Sequence, residues 1–72
     1  MKNLLKEARE FYADKHPNES MTKAELARRV GVSRQTINLI ESGKSIPKLD
    51  LAIRIARALK VPRVEAIFIL QR

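Results

Sequence analysis

In "TKAELARRVGVSRQTINLIES", residues 22–42, one helix closes and the next opens with only Gly31, Val32 and Ser33 to turn the chain. Thr22 is placed to cap the first of the two, with Glu25 three residues on to complete a capping box. Met21 and Leu26 have the spacing of a hydrophobic staple. Gly31 can take the left-handed conformation that ends this helix. Ser33 caps the second helix, Val32 staples onto Ile37, and Gly43 closes it after about Ser42. With so short a connection the two axes must cross sharply. Ala27, at the crossing, has the small side chain that lets the backbones approach, and Leu26, Val30, Ile37 and Ile40 point into the shared interior.

The remaining segments read as helices too. Leu5, Ala8 and Tyr12 form one stripe and Leu4, Ala8 and Phe11 a second, predicting a helix from about Leu4 to Asp14. Pro17 breaks that pattern. A fourth helix, about Lys48 to Lys60, is apolar over a wide arc (Leu49, Leu51, Ala52, Ile53, Ile55, Ala56, Leu59) and should be the one the others pack around. After Pro62, Arg63 to about Phe68 makes a last short helix, followed by Ile69-Leu70. The expectation is one all-α domain over residues 1–72.

A chain of 72 residues has little core to spare, and without cysteine it has neither a disulfide nor a thiolate metal site. Absent cysteine fits a reducing cytosol, and the location expected is cytoplasmic. Fifteen Lys and Arg against eight Asp and Glu give a net charge of +7, which favours a polyanionic partner, nucleic acid before an anionic membrane. The longest apolar run, Ala66 to Leu70, is far too short to cross a bilayer. Leu4-Leu5 is followed at once by Lys6-Glu7, so no signal-peptide core is expected. Asp14, His16 and Ser20 sit in a Pro-broken loop without an oxyanion hole, and no phosphate-binding loop, metal-ligand cluster or heptad zipper is present. Neither an enzyme nor a cofactor is expected.

Helix three is apolar only at Ile37, Ile40 and one neighbour, so its leading turn is left exposed and rich in hydrogen-bonding groups. That suits the major groove of DNA, which admits a helix and displays a distinct donor and acceptor pattern for each base pair. From Met21 to Val61, "MTKAELARRVGVSRQTINLIESGKSIPKLDLAIRIARALKV" resembles the helix-turn-helix repressors of the phage Cro and repressor type, the XRE family. Ala27, Gly31, Ile37, Ile40, "SRQTI" and "IESGK" stand at the family's spacing.

The resemblance implies a five-helix, lambda-repressor-like fold with its helix-turn-helix unit at residues 22–43. It further implies a regulator, a repressor in this reading, that binds a palindromic double-stranded operator as a homodimer. Base edges would meet Arg34, Gln35 and Asn38. Arg suits guanine, and Gln and Asn suit adenine. Leu39 departs from the polar residue usual there and has a thymine methyl as its possible contact. Phosphates would meet Thr22, Lys23, Ser33 and Thr36 on one flank, and the backbone N–H groups of Gly43, Lys44 and Ser45 with the Lys44 ammonium on the other. Lys23 replaces a common glutamine, which keeps the phosphate contact but loses a side-chain bond to helix three. A buried ion pair typical of the family would join Glu41 to Arg9. Dimerisation is expected of the segment 62–72, through Val64, Ile67, Phe68, Ile69 and Leu70. Proline at 62, where the family has a capping Ser or Thr, alters that end. The rival readings are an antitoxin or adaptor of the same fold that binds a partner protein, and a basic amphipathic protein on anionic membranes. Against the second, the basic residues are spread over several separately capped helices.

Overall fold

The computed structural model describes residues 3–68. In them the chain forms α1 (Leu5–Lys15), α2 (Lys23–Val30), α3 (Arg34–Glu41) and α4 (Leu49–Ala58), then a single 3-10 turn, Val64–Ala66. The fold is all-helical, but the expected fifth helix is reduced to that turn. After Pro62, the backbone of Arg63 is extended, and the N–H groups of Ile67 and Phe68 both return to the carbonyl of Val64. No helix among the described residues is long and apolar enough to cross a membrane.

Local chemistry sets the helix ends. Thr22 Oγ1 accepts from the Glu25 N–H at 3.1 Å, and Ser33 Oγ from the Thr36 N–H at 3.1 Å. Each hydroxyl thus serves a donor that the helix cannot satisfy itself. The capping box is only half made: the Glu25 carboxylate receives Arg28 Nε at 3.1 Å and Arg29 Nε at 2.8 Å instead of turning back to Thr22. Gly31, with φ +78°, ends α2 in the left-handed region, where a side chain would be strained.

Those two arginines, Arg28 first, hold the Glu25 carboxyl down from its ordinary 4.5 to about 2. The fold therefore favours the charged form. Its contribution is complete above pH 4.5 and is lost as pH falls towards about 2. Thermal unfolding should show Glu25→Gln less stable than the parent at neutral pH, with the gap closing in acid. A constant gap would contradict this linkage.

The core joins all the elements. Leu5, Leu26, Ile37, Ile40, Ile55 and Ile67 are fully buried, with Tyr12, Met21, Ala27, Val30, Ala52, Ala56, Leu59 and Phe68 packed around them. Of the two stripes on α1 only Leu5–Ala8–Tyr12 faces inward. Phe11 is 63% exposed, with the Lys15 ammonium over its ring. The adjacent stripes lie around the helix from one another, and a core on one side can cover only one. The wide arc of α4 is likewise not all interior, since Leu49 is 70% exposed.

The two ends of the described chain meet. Asn3 bridges antiparallel to Phe68, and the Leu4 N–H donates to the Ile67 carbonyl at 2.7 Å. Asn3 also ties α1 to α3, because its Oδ1 accepts from the Leu5 N–H while its Nδ2 donates to the Ile40 carbonyl at 2.7 Å. Ile67 and Phe68, where the N-terminal segment pairs with the backbone, are buried in this chain's own core. The dimer surface expected at these two residues is therefore corrected: neither is open to a second copy. Val64 is half-buried against the same core, and Ile69 and Leu70 lie outside the described residues.

Candidate nucleic-acid interface

Helix α3 is held from behind. Ile37 and Ile40 are 0% and 1% exposed, and the alternate positions of its 3.6-residue period, Arg34, Gln35, Asn38 and Leu39, face outward. Arg34 and Asn38 are one turn apart, as are Gln35 and Leu39, so the four make a continuous exposed strip at the start and middle of the helix. Arg34 and Lys44 enter no ion pair among the described residues, unlike Arg28, Arg29 and Arg54, whose guanidinium groups are engaged by Glu25, Glu19 and Asp50. No carboxylate among the described residues therefore neutralises their charge.

The α2–α3 turn that aims this strip is fixed by two further side chains. Arg9 Nε donates to Glu41 Oε2 at 2.9 Å, with both side chains largely shielded, and Arg9 Nη1 reaches the Met21 carbonyl at 3.1 Å. Arg54 Nη1, from α4, donates to the Val30 carbonyl at 2.8 Å and so satisfies the last turn of α2 beside Gly31. The sequence signal for Arg54 was weak, because one arginine on a charged helix face does not announce a distant carbonyl.

The flanks differ from expectation in two ways. The N–H groups of Gly43, Lys44 and Ser45, expected to meet phosphate, donate to α3's own carbonyls: Gly43 to Ile40 at 3.0 Å, Lys44 to Leu39 at 3.0 Å and Ser45 to Leu39 at 3.2 Å. The orphan carbonyls of the last helical turn claim them. What that loop offers an anion is the exposed Lys44 ammonium and the half-buried Ser45 hydroxyl. On the other flank Lys23 does bond to α3, contrary to the expected loss: Lys23 Nζ lies 2.8 Å from Asn38 Oδ1. The longer lysine stem spans the gap. Thr22 is exposed, and the Ser33 and Thr36 hydroxyls pair with each other at 2.9 Å, with Thr36 half-buried.

Comparison with known proteins bears on what this strip is for. The family model described as helix-turn-helix matches residues 18–65, which is most of the chain and contains the whole strip. The chain belongs to the XRE family of helix-turn-helix transcriptional regulators. Among its relatives, an HTH-type transcriptional regulator of Methanothermobacter thermautotrophicus is 58% identical over 50 residues, covering 69% of this chain and 72% of that protein. One from Methanocaldococcus jannaschii is 46% identical over 69 residues, 96% of this chain and 92% of that protein. One from Bacillus subtilis is 35% identical over 71 residues, 99% and 96% of the two. This XRE member is a DNA-binding regulator, and its exposed α3 strip is the candidate contact surface.

Proposed function

We propose that this chain represses transcription by occupying a palindromic operator as a homodimer, with α3 of each copy in the major groove. The observation that carries the reading is the division of α3 into an anchored face and an exposed strip of amide and guanidinium groups. Arg34 and Gln35 read base edges at the start of the helix, Asn38 reads one turn further along, and Leu39 meets a thymine methyl. Thr22, Ser33, Thr36, Lys44 and the Ser45 side chain position the sugar-phosphate backbone, and Lys23 stands where it can reach both a phosphate and the base edge beside Asn38.

A two-fold duplex site needs two reading helices about 34–36 Å apart, one helical turn of DNA. Apolar surface open to a second copy is found at Ile46 and Leu49, 68% and 70% exposed, just beyond the end of α3. Residues 62–72 contribute through Val64 and through Ile69 and Leu70. The adaptor reading draws on Phe11, whose exposed ring on α1 would suit a protein partner.

Equilibrium binding to a selected operator and its single-base variants tests the assignment. Gln35→Ala should cost about 1–3 kcal/mol and level the preference at one base pair of each half-site. Lys44→Ala should weaken every sequence alike and lower the slope of log affinity against log salt by about 0.9 per site. Parent-like discrimination in Gln35→Ala would remove α3 as the reader.

A further inference from the structure

We propose that Lys23 and Asn38 form one donor-only reading unit, which selects guanine over adenine at the base pair facing Asn38. The proposal rests on α3 lying in the major groove.

The Lys23 ammonium stands 2.8 Å from the Asn38 amide. An ammonium has three donors and no acceptor, so the amide atom that faces it must be the oxygen. The usual ambiguity between the two ends of an asparagine amide is thereby removed by chemistry. Nδ2, with both N–H donors, lies on the other side of the same planar group.

Reading adenine in the usual two-bond manner needs both ends of the amide. Nδ2 donates to N7 while Oδ1 accepts from the N6 amino group. Here Oδ1 accepts from the Lys23 ammonium and keeps one lone pair, but that positive charge repels the donor hydrogens of an adenine amino group brought to it. Guanine presents N7 and O6, both acceptors. Asn38 Nδ2 can donate to one while a remaining Lys23 proton donates to the other, the second bond strengthened by the charge. Cytosine presents an amino donor and fits no better than adenine, and thymine O4 gives a single acceptor.

The place of Lys23 on α2 is consistent with this role. It is the first residue of the helix, where the helix dipole disfavours a cation. Its ammonium therefore finds its favourable partners away from its own helix, in Asn38 Oδ1 and the acceptors of a bound duplex. A phosphate-only lysine would need no contact with the reading helix.

The test uses the full chain and duplexes enriched from a random pool. Asn38→Ala first identifies the base pair that Asn38 faces, as the position whose preference it levels. At that position the parent should bind guanine at least about fivefold more tightly than adenine, the lower end of what one edge contact discriminates. Lys23→Gln, whose neutral amide can donate or accept, should level that ratio or move it towards adenine. Preferences at the other positions should hold. A parent that prefers adenine there, or a Lys23→Gln variant that loses the same affinity for both bases, overturns the unit and leaves α3 as a reader. An Asn38→Ala variant that levels no position also overturns it. A pool in which no sequence is enriched overturns this proposal and the operator reading together.

Discussion

Arg9→Ala lowers the free energy of unfolding by about 3 kcal/mol, at the low end of the roughly 3–5 kcal/mol expected when one partner of a buried ion pair is removed. The Glu41 side chain is only 6% exposed and its partner 14%, so water cannot fully replace the lost guanidinium, although some reaches it. Glu41 is also the last residue of α3, where the helix dipole disfavours a carboxylate. The same substitution frees the Met21 carbonyl, which accepts from Arg9 Nη1. A domain of this size is stable by only about 4–11 kcal/mol, so the loss is a large share of the total. Urea unfolding measures it. Adding Glu41→Gln to Arg9→Ala should recover part of the deficit, because it removes the stranded charge. A loss below about 1 kcal/mol would class the pair with solvated surface bridges and contradict the burial argument.

Ile37→Ala should cost about 2–5 kcal/mol and weaken binding to every duplex, because it empties the anchored face of α3. Ile37 is 0% exposed and packs in the core with Leu26, Ile40 and Ile55. Ile37→Val removes one methylene, should cost about 0.5–1.5 kcal/mol, and should leave discrimination among duplexes intact. Gln35, two residues away, lies on the opposite face, and its alanine variant should stay within about 0.5 kcal/mol of the parent in stability. Stability and reading should thus separate within a single helical turn. If Gln35→Ala unfolded the protein, or Ile37→Ala bound every duplex as the parent does, the division of α3 into two faces would be wrong.

What could be read from residue order was local. Thr22 and Ser33 as caps, Gly31 as the turn and the Leu26–Val30–Ile37–Ile40 interior each follow from spacings of a few residues, and the folded chain has all of them. Features set by how elements cross were harder. Lys23 and Asn38 are 15 residues apart on different helices, and their bond depends on the crossing angle and a long flexible stem. Ile67 and Phe68 looked like uncovered surface because nothing near them in sequence covers them. They are instead buried in the shared core, and Asn3 and Leu4 at the other end of the described chain pair with their backbone. The N–H groups of Gly43, Lys44 and Ser45 turn inward because α3's last carbonyls compete for them, a demand that residue types in a loop do not display. Phe11 shows the converse limit, for helical spacing finds candidate faces but not which of two adjacent ones the core will occupy.

Selection of duplexes from a random pool by the parent and by an Arg34→Ala/Gln35→Ala variant bears most closely on the exposed strip of α3. The parent should enrich a two-fold symmetric site whose half-sites are centred about 10–10.5 base pairs apart. The double variant should lose enrichment at the positions those side chains face while still binding duplexes through charge. An identical enriched site from both proteins would show that the strip does not read sequence.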